Sequence, residues 1–152
     1  MNFGIALASA VDSWKHVKRA EELGFSSSWF YDTQLLNPDI CICMALAAEK
    51  TSGIRLGTGV LIPSNRIEPV TANALATLNR IAPGRIDFGV GTGFTARRTM
   101  GLKAIPLRIM KRYIERVQEL LRGNLIEWDF ESENRKISFL NPEYGLINLE
   151  DP

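Results

Sequence analysis

Three glycines on alternate positions, Gly89, Gly91 and Gly93, close the run Ile86-Asp87-Phe88-Gly89-Val90-Gly91-Thr92-Gly93-Phe94. An apolar run that ends this way reads as a buried strand whose last turn lets something approach its backbone, because glycine has no Cβ. The carboxyl end of a parallel strand is where α/β proteins put their sites. The same glycines would equally serve a tight turn. A second candidate is Asp32, a carboxylate closing the Ser27–Tyr31 run, with Gln34 two residues on. At a strand end it can meet a ligand; in a loop it can instead accept from backbone amides. Thr58, Gly59 and Val60 lie in a third run, 54–62, whose Gly57 and Gly59 mark a bulge or a close backbone approach.

Other reactive side chains are few. No Ser-His-Asp set and no metal-ligand cluster stands out, so no catalytic nucleophile is assigned and no metal is expected. His16, the one histidine, falls within a helical pattern away from strand ends and reads as a surface residue. Cys41 and Cys43 sit two apart inside an apolar helical pattern, where a disulfide does not fit. They read as small buried hydrophobes of a reducing cytoplasm. Arg97 and Arg98 follow the glycines and read as a solvated loop, within reach of an anionic ligand tail.

Periodicity supplies the elements that must hold these positions. Phe3–Ala8 reads as a buried strand. Asp12 or Ser13 can cap the helix that follows, with Trp14, Val17, Ala20 and Leu23 at helical spacing and Gly24 placed to end it. After the second strand, Asn37-Pro38 predicts a helix start, with Ile40, Met44, Ala47 and Ala48 on its apolar face and Gly53 closing it. Pro69 opens a third helix with Val70, Ala74, Leu78 and Ile81 on one face. An irregular stretch over 94–106 precedes the clearest helix, carried by Met110, Tyr113, Ile114, Val117, Leu120 and Leu121 and stopped by Gly123.

The order is therefore β-α four times at intervals of roughly 25–30 residues, which means parallel strands with right-handed crossovers. The strands read as apolar runs covered on both faces. Beyond them, Ile126, Trp128 and Phe130 alternate with polar residues, as do Ile137 and Phe139, predicting a β-hairpin with one apolar face. Asn141-Pro142 to Asp151-Pro152 reads as loop. The fold class is α/β, with the βα units in 1–124 and the hairpin and loop in 125–152.

With 152 residues, 45% of them hydrophobic, the chain has one domain's worth of core. A net charge of +1 gives no reason to expect nucleic acid or an anionic membrane surface as partner. No apolar run is long enough to span a bilayer. The first strand starts almost at Met1, leaving no room for a signal peptide, so a cytoplasmic protein is expected.

Four βα units with these strand ends resemble the N-terminal half of the luciferase-like monooxygenase superfamily, and most closely its coenzyme F-420-dependent branch, the methylenetetrahydromethanopterin reductase-like enzymes. The matching residues are Ala20-Glu21-Glu22-Leu23-Gly24-Phe25, Trp29-Phe30-Tyr31-Asp32, Arg55-Leu56-Gly57-Thr58-Gly59-Val60, Glu68-Pro69-Val70-Thr71-Ala72, Ala76-Thr77-Leu78, Gly84-Arg85, Gly89-Val90-Gly91-Thr92-Gly93 and Leu120-Leu121-Arg122-Gly123. Their order and spacing carry the likeness more than any one of them.

That resemblance implies the N-terminal half of a (β/α)8 TIM barrel, roughly half the length of the whole, with the cofactor across the carboxyl ends of the strands. It implies that Asp32 and Gln34 contact the ring or the substrate. It implies that Thr58, Gly59 and Val60 form a third-strand bulge with a cis Gly59–Val60 peptide behind the ring, and that Gly91 and Gly93 leave space for the cofactor. The implied activity is an oxidoreductase transferring hydride between the deazaflavin F-420 (8-hydroxy-5-deazaflavin) and a small organic substrate, work that needs no protein nucleophile. Two departures stand out. Asp32-Thr33-Gln34-Leu35 holds no histidine where many members of the family have one, and the chain ends at Asp151-Pro152, before a fifth strand.

Three other readings stay open: an FMN-dependent monooxygenase, an inactive half-barrel that self-associates, and, lowest, a nucleotide-binding domain built on the three glycines. Four strands cannot close a barrel. Edges at Phe3–Ala8 and Ile86–Gly91, and inward faces rich in Ile, Leu, Val and Phe, are therefore expected to drive a homodimer or larger homo-oligomer. The hairpin from Leu125 to Leu140 is expected to cover part of those faces.

Overall fold

A strand's side chains alternate between two faces, and paired residues of neighbouring strands share a face. The computed structural model describes residues 1–150, so the loop expectation for Asp151 and Pro152 lies outside the described residues. Strands β1 (Gly4–Leu7), β2 (Ser27–Phe30), β3 (Arg55–Thr58) and β4 (Ile86–Asp87) form one parallel sheet in chain order. Helices α1 (Ser13–Glu22), α2 (Ile40–Lys50) and α3 (Glu68–Ile81) connect them. This is the α/β arrangement that the alternation predicts.

The register sorts the sheet into two unlike faces. Ile5, Ser28, Leu56 and Ile86 are aligned across the four strands, and Leu7 aligns with Phe30. Phe30 and Leu56 are fully buried with Val17, Ile40, Met44, Ala47 and Leu78 of the helices, and Ile5, Leu7 and Ile86 pack against that cluster. The other face carries Gly4, Ser27 and Arg55 in one row and Ala6, Trp29, Gly57 and Asp87 in the next. Here the sequence expectation is corrected. The inward face is not lined by Ile, Leu, Val and Phe; the branched residues all face the helices, because alternation gives each strand only one apolar side.

Trp29 dominates the inner face. A Cβ on Gly57 would lie 2.5 Å from two carbons of its indole. A Cβ on Gly4 would lie 3.4 Å from its Nε1, and one on Gly89 would lie 3.5 Å from Cζ3. The indole therefore lies across neighbouring strands on a bed of missing side chains, its Nε1 donating to Ser27 Oγ at 3.2 Å. Beside it Arg55 grips Asp87 through two hydrogen bonds of 2.9 and 2.7 Å.

Helix α1 departs from expectation in that Asp12 makes no side-chain cap bond and Leu23 is 59% exposed, and the other helices depart in three places. First, α2 starts at Ile40, where Asp39 accepts from the N–H groups of Cys41 and Ile42, so the aspartate displaces Asn37-Pro38 as the cap. Cys43 is buried and Cys41 half-buried on this helix, and burial pushes the Cys41 thiol up to about 11. Second, the buried face of α3 is Thr71, Ala72, Leu75, Ala76, Leu78 and Asn79, while Val70 and Ile81 stay 48% and 40% exposed. Packed between α2 and the later helix α5 (Leu107–Leu121), α3 presents small residues and satisfied polar ones to its neighbours. Third, a short helix, α4 (Phe94–Arg98), forms inside the stretch read as irregular, after Gly93 turns the chain at φ 82°.

The hairpin forms as read, with β5 (Ile126–Phe130) antiparallel to β6 (Glu133–Ile137) about Glu131 and Ser132, both at positive φ. Its apolar side does not reach the inner sheet face. Ile126 and Trp128 join Leu75, Ala76, Val117 and Leu120 in a second cluster on α3 and α5. Trp128 Nε1 donates to Glu68 at 2.9 Å, fixing the hairpin to the start of α3. Asn79 then holds the chain's last part to α3 through the carbonyls of Asn148 and Glu150. Among the described residues no helix is long and apolar enough to cross a membrane.

At the amino ends of the strands, one oxygen of Glu21 accepts from the N–H groups of Ser52, Gly53 and Ile54 at 2.9, 2.6 and 2.9 Å. Partial burial pushes this carboxyl up, but the three donors and nearby Arg85 outweigh it and hold it below the ordinary glutamate range. Glu21→Ala leaves three amides to find other partners and is expected to lower stability by about 1–3 kcal/mol. The folded-state value is depressed, so the contribution is full at neutral pH and lost as pH falls through it. Urea unfolding should show the gap between wild type and variant at pH 7 and its narrowing below about pH 4.

Candidate functional site

Past Thr58 the ladder between β3 and the fourth strand loses step. Gly57 pairs with Asp87, and the next bridge joins Leu61 to Val90. Thr58, Gly59 and Val60 thus stand opposite only Phe88 and Gly89, which is a bulge of one residue on the third strand. The Gly59–Val60 peptide is cis, where the resemblance to the deazaflavin enzymes puts one. The bulge turns Val60 outward, 40% exposed, at the carboxyl ends of the strands.

A cavity of about 800 Å³ opens there. Asp32, Gly59, Val60, Gly91 and Gly93 all line it, with Tyr31, Leu36 and Ile62 adding apolar wall. Five of the residues singled out in the sequence are therefore brought together. The glycines make room for side chains of the neighbouring strand and loop. A Cβ on Gly91 would lie 2.5 Å from Val60 Cγ2, and one on Gly93 would lie 2.6 Å from Ile62 Cγ2. Among the described residues no basic side chain lines the cavity. A smaller cavity of about 340 Å³ lies between the edge of β4 and helices α3 and α5, and among the described residues the Arg55–Asp87 pair supplies its charged lining.

The other two candidates stand behind the cavity wall. Thr58 is fully buried; its hydroxyl donates to the carbonyl of Gly89 at 2.7 Å and accepts from the Gly89 N–H at 2.9 Å. Gln34 donates from Nε2 to Asp32 Oδ1 at 2.6 Å. Asp32 Oδ2 accepts from the Ile62 N–H at 3.2 Å, so the carboxylate joins the end of the second strand to the end of the third. Burial pushes this carboxyl above the ordinary aspartate range; the Ile62 and Gln34 donors and the Arg66 charge oppose the shift, and Asp39 adds to it.

Sequence reading missed the polar residues that complete this rim. Asn65 donates from Nδ2 to Gln34 Oε1, Arg66 pairs with Asp39, and Thr99 donates to the Gln34 carbonyl at 3.0 Å. They come from loops after two different strands and carry no periodic signal. Arg97, read as solvated, donates to Ser64 and to the Lys103 carbonyl, while Arg98 lies 5.2 Å over the Phe94 ring. Chemically the arrangement offers a shaped floor of glycine backbone, apolar walls and one buried carboxyl with its proton affinity raised. It suits a flat ligand held by shape, with a single group able to hold a proton.

Residues 6–143 match the family described as luciferase-like monooxygenase. The chain is 31% identical over 147 residues to the 5,10-methylenetetrahydromethanopterin reductase of Archaeoglobus fulgidus, covering 91% of this chain and 44% of that protein. It is 37% identical over 147 residues to the F-420-dependent glucose-6-phosphate dehydrogenase of Amycolatopsis mediterranei, covering 91% of this chain and 43% of that one. Among solved structures, the coenzyme F-420-dependent tetrahydromethanopterin reductase of Methanopyrus kandleri superposes with a TM-score of 0.77 at 28% identity, over 88% of this chain and 44% of that one. The FMN complex of the 3,6-diketocamphane monooxygenase oxygenating constituent from Pseudomonas putida superposes at 0.76 with 14% identity, over 98% and 48%, a likeness of fold alone. The chain spans less than half the length of these relatives.

The close approach at the bulge makes its own prediction. A Cβ on Gly89 would stand 2.2 Å from the Thr58 carbonyl oxygen, a backbone atom that cannot swing aside. Gly89→Ala is expected to cost about 1–3 kcal/mol of stability through forced strand separation. A thermal melt of the variant unchanged from wild type would show that the approach is looser than described.

Proposed function

The chain belongs to the luciferase-like monooxygenase family, and on that premise we propose that its strand-end cavity is the ring half of a deazaflavin site, serving hydride transfer between coenzyme F-420 and a small organic substrate. The observation that carries this reading is the one-residue bulge at Thr58–Val60, which opens a glycine-floored cavity beside a buried carboxyl. The F-420 dependence named for the reductase of known structure and for the dehydrogenase relative supports it. The fit rests on shape. Gly59, Gly91 and Gly93 put bare backbone on the cavity wall, and Val60 and Ile62 present apolar surface to a ring.

In this reading the backbone of Gly59, Val60 and Gly91 forms the floor and Gly93 the turn beyond it. Leu36 and Tyr31 exclude water from the side. Thr58 keeps the fourth strand against the bulge so that the floor does not spread. Asp32 can take up a proton at Oδ1 or Oδ2 and orients what lies above it, and Gln34 keeps that carboxyl in place. A bound deazaflavin supplies the hydride chemistry, and the protein supplies position and electrostatics. The work is proposed for the cytoplasm.

We further propose self-association. Among the described residues β1 and β4 are edge strands, and the inner face with Trp29 and the Arg55–Asp87 pair carries no layer over it. Unpaired edges recruit partners.

Two measurements test these readings. In a fluorescence titration the chain should bind F-420 in preference to FMN, and more weakly than micromolar, since it spans under half of its relatives. Gly91→Val, whose side chain would press on Val60, should abolish that binding. Preference for FMN would move the assignment to the monooxygenase branch; tight binding indifferent to the substitution would put the site elsewhere; no binding of either would favour an inactive half-barrel. By sedimentation velocity the chain should run as a homodimer or larger species burying more than roughly 1,000 Å². A compact monomer at micromolar concentration would remove the self-association proposal.

A further inference from the structure

We propose that Arg97 is a positioning residue for Asp32, acting through a one-way chain of hydrogen bonds that runs behind the cavity wall. Arg97 Nη1 donates to Ser64 Oγ, and the Ser64 hydroxyl donates to Asn65 Oδ1 at 3.3 Å. Asn65 Nδ2 donates to Gln34 Oε1, and Gln34 Nε2 donates to Asp32 Oδ1 at 2.6 Å. Five side chains from three separate segments thus form one line: α4, the turn Pro63–Asn65 after β3, and the loop after β2.

The direction of the line is set by its ends. A guanidinium can only donate, and an ionised carboxylate can only accept. Between them stand a hydroxyl and two amides, each of which can face either way. With Arg97 donating at one end, every bond points toward Asp32, and the Gln34 amide presents its N–H₂ rather than its oxygen to the carboxylate. In the reversed line Gln34 Oε1 would face Asp32, which then needs a proton of its own, and the Ser64 hydroxyl would turn its hydrogen toward Arg97. Bonds aligned in one sense polarise one another in a poorly solvated site. Arg97 is held for the task, since its Nε donates to the Lys103 carbonyl and Thr99 ties α4 to the Gln34 backbone. The chain therefore favours ionised Asp32 and opposes the burial that favours the neutral acid.

The other charged and titratable groups that bear on Asp32 are Arg66 and Asp39, which pair with each other, and Cys41 and Tyr113. None of them belongs to the line. The functional meaning of the arrangement, a carboxylate kept ready to take up a proton at the cavity wall, rests on the reading of the cavity as the ring site; the ionisation itself rests on geometry alone.

The test follows the Asp32 carboxyl carbon by ¹³C NMR against pH in the 152-residue chain without cofactor. Arg97→Gln should move the Asp32 midpoint up by about half a pH unit or more. Ser64→Ala cuts the line without changing charge and should move it upward by a similar amount. Arg98→Gln removes the neighbouring charge outside the line and should move it by less than half as much. Equal shifts in Arg97→Gln and Arg98→Gln would reduce the effect to net charge and overturn the proposal, as would an unmoved midpoint in Ser64→Ala. Should Arg97→Gln fail to fold, Ser64→Ala against wild type decides. Because no cofactor is present, a lost F-420 interaction with these shifts intact would sink only the proposed function.

Discussion

The Thr58 hydroxyl donates to the Gly89 carbonyl and accepts from the Gly89 N–H, so one side chain stands in for ladder bonds that the bulge takes away. Without it, the extra residue would leave polar backbone groups unpaired at the ends of two neighbouring strands, an arrangement that buried structure rarely tolerates. With it, the ladder recovers at once: Leu61 N–H donates to the same Gly89 carbonyl at 2.8 Å, and Gly91 N–H donates to Leu61 at 3.1 Å. The strand ends can therefore spread enough to make a cavity and still count as one sheet. The residues that line the cavity from the ends of the third and fourth strands, Gly59, Val60, Ile62, Gly91, Thr92 and Gly93, hang on that exchange.

The two sheet faces show how a short alternating pattern divides labour. On the helix side, Phe30, Leu56 and Met44 reach complete burial and supply the hydrophobic free energy. On the inner side the chain uses absence. Glycine at 4, 57 and 89 lets one large ring lie flat over neighbouring strands, which covers backbone with a single residue. The Arg55–Asp87 pair below it is half in solvent and bidentate, a geometry that fixes orientation more than it adds stability.

Above the sheet the organisation is polar. Asp32 reaches Ile62, Gln34 reaches Asn65, and Thr99 reaches back to Gln34, so the loops after the second, third and fourth strands are tied to one another rather than each to its own strand. Beside that polar rim the apolar side chains of Leu35, Leu36 and Phe94 stay exposed. A buried carboxyl placed in that rim is held by its donors and lifted by its burial, and the balance between the two decides when it carries a proton.

The sequence by itself determined the local elements, because their causes are local. Helical spacing from Met110 to Leu121 and the alternation from Ile126 to Phe130 each produced the element they predict. The βα alternation determined a parallel sheet in chain order, and glycine spacing marked both the bulge and the turn at Gly93. Tertiary structure alone decided what each polar group meets. Asp32 finds the Ile62 N–H thirty residues away and Thr58 finds Gly89 thirty-one away, separations at which no periodicity carries information. It decided that α3 buries Thr71 and Asn79 in place of Val70 and Ile81, since a helix with neighbours on two sides selects for fit as well as apolarity. It decided that the hairpin sits on the helices, because Trp128 finds its polar partner in Glu68 there. And it decided that the glycines of the strands accommodate an indole and the branched side chains of Val60 and Ile62, a fact about shape in three dimensions that a one-dimensional pattern of small residues can mark but not fill.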